Sequence, residues 1–122
     1  MMVLLFLFMT NQQSTNLYVA VVVYESSSDS SKYEPLFEES FMIVKATSVE
    51  EAKQKTKIHA TGNTSTFKNE AGETVTWTLK EIVDVNQVLY DSISDGVEIY
   101  SRHFRDYQAY SEFEPLLSRK EL

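Results

Sequence analysis

The stretch "EIYSRHFRDY", Glu98–Tyr107, concentrates more reactive side chains than any other part of this chain. It holds the imidazole of His103, the guanidinium groups of Arg102 and Arg105, and the carboxylates of Glu98 and Asp106. Two nearby guanidiniums disfavour a charged imidazolium and so keep the ring available as a base. The same guanidiniums suit an anionic group bound through paired hydrogen bonds. The catalytic possibility is therefore His103 as base with Arg102 or Arg105 clamping an anionic substrate. Strand alternation counts against it: His103 would share a side with Val97 and Ile99, while Arg102 would share the opposite side with Tyr100 and Phe104. The stretch is expected to be a seam between a strand and a helix capped by Asp106, and no catalytic residue is assigned.

Glu81 is the other carboxylate with chemical promise. It interrupts the apolar series Val75, Trp77, Leu79, Val83 and Val85, and a carboxyl held among those residues would have a raised pKa. Long acidic side chains seldom stay buried without a partner, so the core is expected to end at Leu79 and Glu81 to meet solvent. Asp29, Glu34, Glu38 and Glu39 form an acidic cluster. It lacks calcium-loop spacing and the glycine of the sharp turn, and is expected to be a solvated face.

Other chemistries have no residues to carry them. Glycine occurs only at 62, 72 and 96, which precludes a P-loop or a G-x-G-x-x-G cradle. There is no G-x-S-x-G elbow, and His59 and His103 are far apart with no H-E-x-x-H. The absence of cysteine removes disulfides, thiolate nucleophiles and cysteine-based metal sites, and is compatible with a reducing cytoplasm. No cofactor and no metal are expected.

The side chains best suited to recognition are tyrosines. Tyr18 and Tyr24 fall on one side of a strand, and Tyr107 and Tyr110 on one face of a helix. Each offers broad apolar area with a polar tip, as at protein interfaces. The competing expectation is that they pack the last helix onto a sheet.

Net charge is −7, from 18 acids against 11 bases. Such a surface repels a phosphate backbone. The densest cationic group, Lys53, Lys55 and Lys57, spreads over about 200° of a helix, so nucleic-acid binding is not expected.

The elements that must position these residues follow from local pattern. "LYVAVVVY", Leu17–Tyr24, is β-branched and apolar on both faces, the signature of a central strand. Glu25–Pro35 is serine-rich and is expected to be a mobile loop, followed by an antiparallel strand over Leu36–Ala46. "SVEE", Ser48–Glu51, is a capping box that opens a helix. The helix should end at a left-handed Gly62 and turn Val49, Ala52, Thr56, His59 and Ala60 inward. A hairpin should turn at Asn69-Glu70-Ala71-Gly72, with Phe67 across from the apolar series of the next strand. "VEIYSRHF" predicts a last strand, and "YQAYSEFE" a helix with Tyr107, Tyr110, Phe113 and Leu117 on one face, stopped by Pro115. The expected fold class is α+β, a single antiparallel sheet of about five strands with two short helices in the order β-β-α-β-β-β-α.

The expected organisation is an extension over 1–16, one domain over 17–117 and a tail over 118–122. "MMVLLFLFM" spans only about 14 Å as a helix, too short to cross a bilayer. It has the length of a signal-peptide core but lacks a preceding basic residue and a clear cleavage site. The expectation is that Met9 is the initiator, with no membrane association unless residues 1–9 are translated and retained.

The stretches "YVAVVVYESSSDSSKYEPLFEESFMIVKA", "NEAGETVTWTLKEIVDV" and "EIYSRHFRDYQAYSEFEPLL" together resemble the bacterial domain-of-unknown-function family 4288, over about residues 17–117. The resemblance implies a small bacterial domain and carries no reaction or site residue with it. The expected function is a cytoplasmic, non-catalytic module that binds a protein partner or itself through a sheet edge or the tyrosine surface. The alternatives are a small enzyme using Arg102, His103 and Arg105, and a secreted or membrane-attached factor using residues 1–9.

Overall fold

The computed structural model describes residues 14–90 and 92–118. The apolar segment 1–9 and the end of the tail lie outside the described residues. The described residues form one antiparallel four-stranded sheet in the order β2-β1-β4-β3. Its strands are β1 (Asn16–Ser28), β2 (Phe37–Ala46), β3 (Ser65–Lys68) and β4 (Thr74–Gln87), with helix α1 (Val49–Gly62) between β2 and β3. Two short helices, α2 (Tyr107–Phe113) and α3 (Pro115–Ser118), close the described chain. Among the described residues no helix is long and apolar enough to cross a membrane.

β1 is central, as its double-sided apolar pattern requires, and Tyr18 through Val22 are all buried. Fully burying a valine contributes about 1.5–3 kcal/mol, so this strand is the spine of the molecule. Its even-numbered residues face α1. Tyr18 and Ala20 pack with Val44, Ala46, Ala52 and Val85, while Val22 and Tyr24 pack with Ala60. α1 lies close because its inward residues are small: Ala52, Thr56 and Ala60 are fully buried. The buried hydroxyl of Thr56 donates to the Ala52 carbonyl at 2.7 Å, so it enters the core satisfied.

The helix start follows the capping logic with one shift. Ser48 Oγ accepts from Glu51 N–H at 3.1 Å, but the Glu51 carboxylate turns to the N–H and hydroxyl of Thr47, at 3.2 and 3.0 Å, rather than to Ser48 N–H. The helix end departs from expectation. Gly62 stays within the helix, Asn63 caps it with φ −86°, and the left-handed glycines are Gly72 and Gly96. His59 is exposed rather than inward. The hairpin turn forms as its residues dictate: Gly72 takes φ +78°, Asn69 Oδ1 accepts from Glu73 N–H at 2.9 Å, and Phe67 pairs with Val75.

Two corrections concern strands. β1 continues to Ser28, so the first part of the expected loop is strand. The expected fifth strand, "VEIYSRHF", does not form, and residues 97–104 make no ladder. The edges of the sheet are β2 and β3, and this segment crosses the face of the sheet instead of extending an edge.

A candidate interaction surface

The face of the sheet away from α1 is built from the odd-numbered residues of β1 and β2. Val19, Val21 and Val23 lie beside Ile43, Phe41 and Glu39 in the ladder. β4 completes this face through two β-bulges. Val21 pairs with Asp84 but Val22 with Ile82, which leaves Val83 as the extra residue; Val23 pairs with Glu81 but Tyr24 with Leu79, which leaves Lys80. Each bulge resets the alternation of β4. Leu79, Ile82 and Val85 therefore all reach the helical side, while Glu81 and Asp84 fall on the outer one.

The bulges settle the status of Glu81. It meets solvent as expected, but it does so on the outer face beside Val23 and not within the apolar series. The core does not end at Leu79; it continues through Ile82 and Val85, and Val83 is 46% exposed.

Tyr100 closes the middle of the outer face. Its hydroxyl donates to Asp84 Oδ2 on β4 at 3.0 Å, and its ring meets Phe41 on β2 with centroids 5.5 Å apart. Asp84 and Phe41 are the two ladder neighbours of Val21, so a ring that touches both covers Val21, which is 1% exposed. Partial burial and the Asp84 carboxylate both push the Tyr100 phenol above its ordinary value. Residues 98–101 line a groove with 86–89, which carries the segment across the end of β4.

Beyond Tyr100 the outer face is open. Phe41 is 55% exposed and Ile43 44%, and Phe37 is exposed as well. Lys80 Nζ bonds Glu25 at 3.2 Å and lies 5.6 Å from the Phe37 ring, marking the rim. Next to Phe37 is a groove of about 460 Å³, lined by Val23, Pro35, Leu36, Phe37, Phe113 and Pro115 among others. One wall is the β1–β2 loop, pinned at its base. Ser26 Oγ accepts from Leu36 N–H at 2.8 Å and from the Tyr33 hydroxyl at 2.6 Å, and donates to Leu36 O at 3.1 Å. At its far side the loop meets the β3–β4 turn: the Ser30 hydroxyl, with the Asn69 amide, holds the Glu73 carboxyl below its usual range. The expected mobile loop is thus anchored at both margins. The other wall is the elbow at Glu114, where Pro115 interrupts the helical path between α2 and α3; α2 itself opens at Asp106, whose Oδ1 accepts from Ala109 N–H at 3.0 Å.

The tyrosines separate into two groups. Tyr18 and Tyr24 are core residues, 4% and 7% exposed under α1, and present no contact surface. The reason is that the even face of β1 is the one the helix covers. Tyr107 and Tyr110 remain exposed, and Tyr110 stacks on Phe104 with centroids 4.8 Å apart while its ring lies tilted to Tyr107 at 6.3 Å.

The structure does not gather the reactive residues named from the sequence. Arg102, His103 and Arg105 are all exposed, and none of them lines the grooves described above. Glu81 is on the outer face of β4. Glu38 and Glu39 point to opposite faces of β2, which divides the acidic cluster. Among the described residues no group of three or more histidine, aspartate or glutamate side chains is placed to hold a metal ion.

No curated protein and no solved structure matches this sequence. A family match spans residues 17–101, from the first strand through the tyrosine that crosses the outer face, and stops short of α2, so the last of the three resembling stretches falls mostly outside it. On that match, which covers most of the described fold, the chain belongs to the family described as Domain of unknown function (DUF4288).

Proposed function

We propose that this chain is a cytoplasmic, non-catalytic protein-interaction module, an adaptor or regulatory part, that works through the outer face of its sheet. One observation carries this reading: Phe41 and Ile43 stand exposed on the outer face of β2, and beyond Glu39 on the same face Phe37 opens into the groove beside Phe113. Exposed apolar surface rimmed by charge is the mark of a binding site. Covering a half-exposed phenylalanine contributes on the order of 1 kcal/mol, and several together supply the apolar centre of a modest interface. Glu39 and Glu114 at the groove margin favour a partner that brings cationic side chains to the rim. The cysteine-free composition suits a reducing compartment.

The test is comparative capture from the native cell with the full-length chain as bait. Phe37→Asp and Phe113→Asp should each abolish recovery of whatever the wild type binds, while far-UV circular dichroism stays unchanged. His103→Ala should recover the same protein at the same yield. Loss of the biological effect in His103→Ala alone, with capture intact in both aspartate variants, would reverse the assignment.

A further inference from the structure

β2 is an edge strand ten residues long, and its free side is ordered by strand geometry. Ser26 N–H bonds Leu36 O, so even-numbered backbone groups at this end of β2 face β1. By the two-residue period Glu39, Phe41, Ile43 and Lys45 direct their N–H and C=O groups to the open edge. The Lys45 carbonyl confirms the direction, since it is reached from outside by Lys55 Nζ at 2.8 Å. The side chains of these same four residues lie on the outer face.

We propose that two copies of the chain pair antiparallel through β2, in the register that sets Met42 opposite Met42 of the second copy, to give one continuous sheet. This inference rests on the outer face being a contact surface and names its occupant. The argument is that the strand is complementary to itself in this register. Glu39 faces Lys45 of the second copy, Phe41 faces Ile43, and by the two-fold symmetry each pairing occurs twice. Opposite charges and apolar pairs directly across strands are the favourable combinations. Moving the register by two residues one way sets Ile43 against Glu39 and Lys45 against Phe37; moving it the other way sets Lys45 against Phe41. Both leave charges facing apolar side chains. Within the described residues neither Glu39 nor Lys45 has an ion-pair partner in its own chain. The Lys45 carbonyl has two lone pairs, so it can take an N–H of the second copy while keeping Lys55. The pairing also extends the apolar row of Phe41 and Ile43 across the two-fold axis, which is what an exposed strand edge is able to do with a matching strand.

The test uses charge reversal in the full-length chain, followed by sedimentation over a concentration series and native mass spectrometry. The wild type is expected to be a reversible dimer. Glu39→Lys alone and Lys45→Glu alone each oppose like charges at two places, and each should raise the dissociation constant about tenfold or more. The double variant E39K/K45E restores both pairs and should recover the dimer. An equimolar mixture of the two single variants should form a heterodimer in preference to either homodimer. Both substituted side chains are on the surface, so circular dichroism should show each variant folded. A wild type that stays monomeric at the highest concentration overturns the proposal. An oligomer indifferent to all three charge variants overturns it too, because association would then use another surface. If a monomeric wild type still loses a captured protein on Phe37→Asp, the interaction module stands and only the self-pairing falls; if capture is also unaffected, both fall.

Discussion

The two faces of the sheet use the same central strand in opposite ways. Toward α1, every even-numbered residue of β1 from Tyr18 to Ser26 is buried, and the helix meets the sheet through alanines and one satisfied threonine. On the outer side β1 is nearly as buried, yet its neighbour β2 presents Phe37, Phe41 and Ile43 partly to solvent. The inner cover is a whole helix laid close along three strands. The outer cover, at its centre, is one tyrosine ring held by one hydrogen bond and one ring contact. The contrast shows where stability and recognition reside. A face closed by backbone-level contact holds the fold together, and a face closed at a single point leaves apolar surface free for another chain.

The sharpest way to break this contrast is to place the same charge on both kinds of position. Val22 is 0% exposed and Val83, in a bulge of the neighbouring strand, is 46% exposed. Val22→Asp buries an unpaired carboxylate and should cost more than about 4 kcal/mol, enough to unfold a domain whose whole stability is about 5–15 kcal/mol. Val83→Asp should cost about 1 kcal/mol or less. Urea unfolding measures both, and similar midpoints for the two variants would erase the distinction between a covered and an open position of the sheet.

A smaller effect tests the inner cover alone. Ser48→Ala removes the cap that satisfies Glu51 N–H and should lower stability by about 1 kcal/mol. The Glu51 carboxyl, held below its usual range mainly by Thr47, should keep its contacts. The check is the thermal midpoint, with helix content followed by circular dichroism.

The smallest effect concerns the outer cover. Tyr100→Phe keeps the ring over Val21 and loses the bond to Asp84, for a cost of roughly 0.5–1 kcal/mol at neutral pH. Its sign with pH is specific. The folded phenol titrates above its unfolded value of about 10, so its contribution is present below that pH and is lost as pH rises through the folded value. The gap in urea midpoint between wild type and Tyr100→Phe should therefore narrow as pH rises above about 10. A gap that widens over that range would show that Tyr100 does not donate to Asp84.

How much of this was legible depended on the range of the forces involved. The capping residues Ser48 and Asp106 and the turn at Asn69–Gly72 were read correctly because each is satisfied within a few residues of chain. The displaced Glu51 contact and the helical Gly62 were not, since both depend on how the chain enters and leaves α1. "VEIYSRHF" has strand composition, but a strand also needs an edge to pair with, and this segment is held across a face by Tyr100. Tyr18 and Tyr24 were placed on one side of β1 correctly; that this side is the one beneath α1 is information no alternation carries. The exposure of Glu81 is legible in the sequence, but its place on the outer face is not, because a bulge exists only in the pairing of two strands and β4 alternates evenly when read alone.

By itself the sequence determined the local grammar of this protein: the strand character of β1, β2 and β4, where the helices begin, where the hairpin turns, and that β1 must be central. Those outcomes rest on sterics, capping and apolar period, all of which act between neighbours in the chain. Only the tertiary structure decided which face the helix covers, where β4 slips by a residue, and which aromatic side chains are left in solvent. These depend on contacts between residues far apart in sequence, where side-chain volume and hydrogen-bond pairing across strands select one arrangement among several that the local pattern allows equally.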